Sequence, residues 1–317
     1  MKNEKLIEVQ DMHKVFHGSR GEVLALRGVS FSIDEGKTLA LVGESGSGKT
    51  TAARIVLGLE EQTSGFVSVL GKNLTNLKAQ GLRELRKSIQ VVQQNPYSQL
   101  NRRHSVQQIV ETPLIAFNIG NPLQRKSKIV NLLESVGLDE TYLTRRPHEL
   151  SGGQCQRVAI ARALVIEPKI LILDEAVSAL DVSVRAQVLN LLKKLQVERD
   201  LTYLFITHDL GVARYMADEI SVMYRGKIVE RGDRSEIFLN PKHHYTENLI
   251  AAVPLAEPPR EKLAIRVSQS LQEPVLTDAC AYRTRCDVGK NREECLSKEL
   301  IPTVLGNREW LCHFPIE

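Results

Sequence analysis

Apolar residues change their spacing repeatedly along this chain. Leu6-Ile-Glu-Val9 is a short apolar run, and Val29, Phe31 and Ile33 alternate with Ser30, Ser32 and Asp34. A period of two marks strands with one buried face, and His17-Gly-Ser-Arg-Gly21 supplies turn residues between them. Thr38-Leu-Ala-Leu-Val42 is a buried type of strand that runs into a glycine-rich loop, after which Thr51 to Leu59 reads as a helix. Phe66 to Leu70 and Ile89 to Val92 read as further strands. Residues 102–165 are mostly helical in pattern, broken at Gly120-Asn-Pro122 and Arg145-Arg-Pro147. Ile170-Leu-Ile-Leu173, bounded by Pro168 and Asp174, has the form of a central parallel strand. Val182 to Leu195 reads as an amphipathic helix, and Tyr203 to Ile206, Ile220 to Met223 and Ile228-Val229 as later strands. Strands alternating with helices predict an α/β core with a largely parallel sheet. From Pro254 the pattern gives way to a polar, proline-punctuated linker and then a cysteine-containing tail.

The first candidate chemistry lies where strand meets helix. Gly43-Glu44-Ser45-Gly46-Ser47-Gly48-Lys49-Thr50 fits the phosphate-binding loop G-x-x-x-x-G-K-[ST] at every position, and Thr51 continues into the helix. Gly43, Gly46 and Gly48 let the backbone curl so that its N–H groups point inward at phosphate oxygens, and the helix N-terminus adds a positive dipole end. Lys49 is placed to reach the β and γ phosphates, and the Thr50 hydroxyl to bind Mg²⁺.

The second half of a nucleotide site follows. Ile170-Leu-Ile-Leu173 ends in Asp174 and Glu175. A buried strand ending in Asp can set a carboxylate beside the metal, and the next residue can polarise an attacking water. Upstream, Leu150-Ser-Gly-Gly-Gln154 opens a helical stretch, with Ser151 and two glycines at a second helix N-terminus.

With Ser178-Ala-Leu-Asp181 and His208, these motifs resemble the ATP-binding cassette (ABC) family over about residues 5–250. The resemblance implies a P-loop nucleotide-binding domain: a mostly parallel α/β sheet with an antiparallel β-subdomain and a helical subdomain, residues 95–165. It also implies roles. Gly43 to Thr50 would cradle the triphosphate. Gln94 resembles the glutamine that senses Mg²⁺ and water and faces the transport subunits. Ser151, Gly152, Gly153 and Gln154 resemble the signature that contacts ATP held by a partner cassette. Asp174 looks like the metal-orienting acid, Glu175 like the catalytic carboxylate, and His208 like the histidine that holds the γ-phosphate. Ser178, Ala179, Leu180 and Asp181 resemble the loop that crosses the dimer interface. Phe16 stands where an aromatic often stacks on adenine. The chain departs from the pattern at Ala176-Val177, where the family often has Pro-Thr, and at Cys155, where a basic or amide residue is common. Neither removes a reacting group.

One phosphate loop and one signature per chain predict a head-to-tail pair of cassettes with ATP between them. No run approaches the length of a membrane span, and the start lacks a signal peptide's apolar stretch. A cytosolic location is therefore expected, on the inner face of the cell membrane, with two separate permease subunits receiving the motion. A net charge of +4 is too small to argue for nucleic acid as a partner.

The C-terminal part narrows the family. Asn240-Pro-Lys-His-His-Tyr-Thr246, Gln94-Asn-Pro-Tyr97 and Ser178 to Arg185 resemble dipeptide/oligopeptide importer ATPases, a group that includes nickel importers. Within it the chain looks like the second of two unlike ATPase subunits. A heterodimer and an extracytoplasmic solute-binding protein are therefore expected. Two unequal domains are read, 1–253 and 254–317. Of five cysteines, four fall in the tail as Cys280, Cys286, Cys295 and Cys312, spaced C-x5-C-x8-C-x16-C. No C-x2–4-C pair favours zinc, and a cytosolic setting disfavours disulfides. Four thiolates suit a [4Fe–4S] cluster, which the resemblance also implies; four unliganded thiols in a packed tail is the competing reading. Two other classes of function stand beside the importer: a soluble cassette ATPase acting on DNA or ribosomes, and an ATP-binding redox or iron sensor. The absence of a coiled-coil insertion argues against the first, and Glu175 with His208 argues against pure binding.

Overall fold

The computed structural model describes residues 4–18, 21–252 and 279–317. The linker expected from Pro254 lies outside the described residues. An N-terminal hairpin of β1 (Lys5–Gly18) and β2 (Gly21–Asp34) pairs with β4 (Ser64–Val69) and β5 (Lys72–Asn73) in an antiparallel sheet of order β2-β1-β4-β5. The second sheet contains β3 (Thr38–Val42), β6 (Ile89–Val92), β7 (Ile170–Asp174), β8 (Thr202–Thr207), β9 (Glu219–Tyr224), β10 (Lys227–Asp233), β11 (Thr303–Leu305) and β12 (Arg308–Trp310). Its order is β11-β12-β10-β9-β3-β8-β7-β6, parallel from β9 to β6 and antiparallel from β10 outward.

The central strands β3, β7 and β8 are almost wholly apolar because each side of the sheet faces a different core. Leu39 and Leu41, Ile170 and Ile172, and Leu204 and Ile206 pack with the antiparallel sheet and α1 (Lys49–Val56). Ala40, Leu171, Leu173, Tyr203 and Phe205 pack on the opposite side. Alternation of side chains across a strand, buried twice, leaves no polar position to mark a period.

That opposite core is roofed by helices. After α2 (Ala79–Ser88) come α3 (Pro96–Gln99), α4 (Val106–Ala116), α5 (Pro122–Ser135) and α6 (Gly152–Leu164), so residues 102–165 are largely helical as expected. Three of these begin with reciprocal side-chain caps: Ser105 with Gln108, Asn121 with Gln124, and Ser151 with Gln154. The remaining helices are α7 (Val182–Arg199), α8 (Leu210–Met216), α9 (Arg234–Leu239), α10 (His244–Ala251) and α11 (Glu293–Ser297).

The tail returns to the cassette. β12 pairs with β10, setting Glu230 opposite Trp310 and Arg231 opposite Glu309. Cys280, Tyr282, Cys286, Cys295 and Leu300 are buried in the same apolar cluster as Val158, Leu192 and Tyr245. Residues 279–317 thus share a sheet and a core with the chain before the linker.

Candidate nucleotide site

Strand β3 delivers the chain into the phosphate loop, and α1 leads away from it. Gly43 has a φ of 152°, and a Cβ there would lie 2.2 Å from the Met223 carbonyl oxygen. Gly48 has a φ of 105°, with a Cβ site 2.7 Å from the Ala25 carbonyl. Both positions need glycine for conformation and for space. Ser45 and Gly46 are exposed, whereas Ser47 is buried against the loop. Lys49 is folded inward, donating to the carbonyls of Gly43 and Glu44 at 2.8 Å each. Burial pulls its pKa down, opposed by the charges of Glu175, Asp174 and Glu44. Thr51 lies one residue along α1, half-buried.

The acidic end of β7 meets this loop. The Thr50 hydroxyl donates to Asp174 Oδ1 at 3.3 Å. Burial raises the Asp174 pKa, with Glu175 adding to the rise and the Thr50 bond and Lys49 opposing it. A threonine hydroxyl beside a carboxylate is the hard-oxygen donor set that Mg²⁺ takes together with phosphate oxygens. Glu175 stands one residue on, 3.3 Å from Nδ1 of exposed His208 at the end of β8. Gly43, Glu44, Ser45, Thr50, Gln94, Asp174, Glu175 and His208 line one cleft of about 840 Å³. The expected reacting groups therefore converge.

Other expected residues sit apart from that cleft. Ser151 caps α6, its Oγ accepting from the Gln154 N–H at 3.3 Å. Gln154 Oε1 accepts from the Ser151 N–H at 2.9 Å. Gly152 and Gly153 follow, and a Cβ at Gly153 would meet Val184 Cγ1 of α7 at 2.4 Å. The signature glycine is thus also a packing requirement, which its sequence context did not reveal. Ser178 Oγ donates back to the Glu175 carbonyl at 2.9 Å, Ala179 is exposed, Leu180 is buried and Asp181 precedes α7. Tyr97, three residues after Gln94, donates to the Leu150 carbonyl at 3.3 Å and so ties that loop to the signature. Phe16 is an exposed residue of β1 with Lys14 Nζ 4.8 Å from its ring centroid; it does not line the cleft.

The tail cysteines meet at a second place. Cys280, Cys286, Cys295 and Cys312 line one small cavity with His243, His244, Tyr282 and Gly289. All four are free thiols. Burial pushes Cys280 up to about 11 and Cys312 up to about 12, so bare thiolates are disfavoured there. The Gly289 N–H donates to Cys286 Sγ at 3.3 Å, and a Cβ at Gly289 would lie 3.0 Å from Cys295 Sγ. His243, which its sequence context left without a role, is buried, and Nδ1 accepts the Tyr245 N–H at 3.0 Å. The ring proton therefore sits on Nε2, which is buried and has no partner among the described residues. No three His, Cys, Asp or Glu side chains among the described residues are placed to hold one metal ion. The four thiols nonetheless border one small space, with the Gly289 N–H and the His243 ring N–H beside it.

Comparison with known proteins gives the family of the chain. The ABC transporter family matches residues 26–178, and the oligopeptide/dipeptide transporter C-terminal region matches residues 229–295. The oligopeptide transport ATP-binding protein OppF of Streptococcus pyogenes is 47% identical over 262 residues, covering 82% of this chain and 85% of its own. The dipeptide transport ATP-binding protein DppF of Escherichia coli is 44% identical over 290 residues, covering 89% and 87%. Among solved structures, a dimeric ATP-binding cassette in a post-hydrolysis state with ADP and phosphate aligns with a TM-score of 0.66 at 31% identity, covering 72% of this chain and 98% of that one. The structure of cbiO1 from Clostridium perfringens, part of an ABC transporter complex, aligns with a TM-score of 0.67 at 32% identity, covering 74% and 91%. A phosphate loop, an acidic strand end and a histidine gathered on one sheet edge, in a chain this close to such relatives, place it in the ABC transporter family as an ATP-hydrolysing subunit.

Proposed function

We propose that this chain powers the import of di- or oligopeptides across the cell membrane. The observation that carries the reading is the convergence of Thr50, Gln94, Asp174, Glu175 and His208 on one cleft in a chain bearing an oligopeptide/dipeptide-transporter C-terminal region. The loop from Gly43 to Thr50 would cradle the triphosphate, and Phe16, exposed on β1 outside the cleft lining, is the candidate to stack on an adenine that extends past it. Thr50, Asp174 and Gln94 would hold Mg²⁺, which would neutralise charge on the phosphates. Glu175 accepts a proton from the attacking water, and His208, within hydrogen-bond reach of Glu175, steadies the γ-phosphate.

The signature Ser151 to Gln154 lies outside its own chain's cleft and serves the ATP of a partner, with Ser178 to Asp181 lying at the junction. The dimeric relative supports such a pair. The partner is a second, non-identical cassette, and the pair sits at the cytoplasmic face against two permease subunits supplied by a solute-binding protein. No helix among the described residues is long and apolar enough to cross a membrane, in keeping with separate permeases. Residues 1–253 form the nucleotide-binding domain and 254–317 the extension built onto it. Cys280, Cys286, Cys295 and Cys312, which border one small cavity, would be the ligands of a [4Fe–4S] cluster that ties the cysteine-bearing segments together.

Glu175→Gln is the test. In the assembled transporter it is expected to bind ATP, hold the cassette pair closed and release no phosphate. Wild-type phosphate release in that variant would remove Glu175 from its role.

A further inference from the structure

Glu44, the first variable residue of the phosphate loop, is held from outside the loop by two groups. Its N–H donates to the Tyr245 hydroxyl at 3.0 Å. Its carboxylate accepts from Arg285 Nη1 at 2.8 Å. Arg285 belongs to the tail, 241 residues along the chain and adjacent to Cys286. Its guanidinium lies 5.6 Å from the centroid of the Tyr282 ring, and that ring packs on Tyr245 and Tyr224 at 5.2 and 5.3 Å. Asn248 Nδ2 donates to the Tyr282 hydroxyl at 2.6 Å. The tail thus reaches the rim of the nucleotide cleft through a short, packed and charged connection.

The electrostatics give this contact a consequence. Glu44 borders the cleft, and its charge, with those of Glu175 and Asp174, acts on Lys49. A free carboxylate there would repel a polyphosphate and compete for Lys49. Paired with Arg285, it is neutralised and turned toward the tail. We propose that Arg285 is a positioning residue for the phosphate loop: acting through Glu44, it makes ATP affinity depend on the docked cysteine tail. This rests on the reading of residues 43–50 as the nucleotide loop.

The test is ATP affinity of the full chain, measured by displacement of a fluorescent ATP analogue and paired with thermal melting. Arg285→Ala is expected to weaken ATP binding roughly threefold to tenfold, the scale of one charge-assisted bond at a partly exposed site. Arg285→Lys, which keeps the charge but loses the planar contact with the Tyr282 ring, should recover only part of the lost affinity. Adding Glu44→Gln to Arg285→Ala should recover affinity, because it removes the unpaired carboxylate rather than repairing the fold. Parent affinity in Arg285→Ala would overturn the inference. So would a loss that neither the lysine nor the Glu44→Gln change relieves, since that is the mark of a purely structural contact. Lys49→Ala separates the two readings: if it binds ATP normally, the nucleotide site itself is misassigned and the inference falls with it.

Discussion

Glu175 adopts a φ of 50°, in the left-handed region that non-glycine residues rarely enter. Its N–H bonds to the Ile206 carbonyl at 2.9 Å and its carbonyl accepts from Ser178, so the neighbours over-determine the strained turn. The result sets the carboxylate toward His208. The cysteines make a contrast at the same scale. Cys155 is fully buried in α6, and desolvation pushes its thiol up to about 11. It packs as a small apolar residue. Native protein treated with iodoacetamide at neutral pH should therefore stay unmodified at Cys155. Anaerobically purified protein should carry iron and sulfide, with the four tail cysteines protected until the metal is chelated. Colourless protein with four freely alkylated tail cysteines would remove the cluster.

At the scale of elements, the site is made by strand ends. β3 and β8 run parallel with Val42 beside Thr207, and β7 lies beside β8 with Asp174 opposite Ile206. Three C-terminal ends therefore release the phosphate loop, the acid pair and His208 at one edge, where parallel α/β sheets hold their ligands. The loop depends on Gly43, where a Cβ would strike the Met223 carbonyl. Gly43→Ala is expected to abolish ATP binding while the circular dichroism of the helices persists; unchanged ATP binding would show that the loop tolerates the shift. These elements were legible because their apolar runs are long and their turn residues contiguous. The helix α2 was passed over, because its apolar stripe is only Leu82 and Leu85 in a short, largely polar segment and Leu85 alone is fully buried. Strands β11 and β12 were not legible either: each spans three residues and exists by pairing with a neighbour.

At the scale of the molecule, the tail closes the sheet's edge. Arg308 Nη2 bonds Glu230 Oε1 at 2.8 Å, and both side chains are almost wholly buried. Glu230 also accepts the N–H groups of Lys242 at 2.7 Å and His243 at 2.9 Å. One buried carboxylate thus joins β10, β12 and the segment that precedes α10. Removing its cation leaves a buried charge short of its partner. Arg308→Ala should lower the free energy of unfolding by about 3 kcal/mol, measured by urea denaturation. A change below about 0.5 kcal/mol would mean that the backbone donors alone satisfy Glu230.

The phosphate loop, the signature cap and the acidic strand end are spelled by adjacent residues, and their chemistry follows from local backbone geometry; the motif order alone pointed to the family. The convergence of Asp174, Glu175 and His208 with Thr50 needed the strand order, because residues far apart in sequence become neighbours only once the sheet forms. The same holds for the segment 240–246. Its residues signalled kinship, but only the folded chain sets His243 on the cysteine cavity and Tyr245 against Glu44. Arg285 carried no signal at all. Nothing near it in sequence resembles a phosphate site, and its partner is decided by where the tail docks.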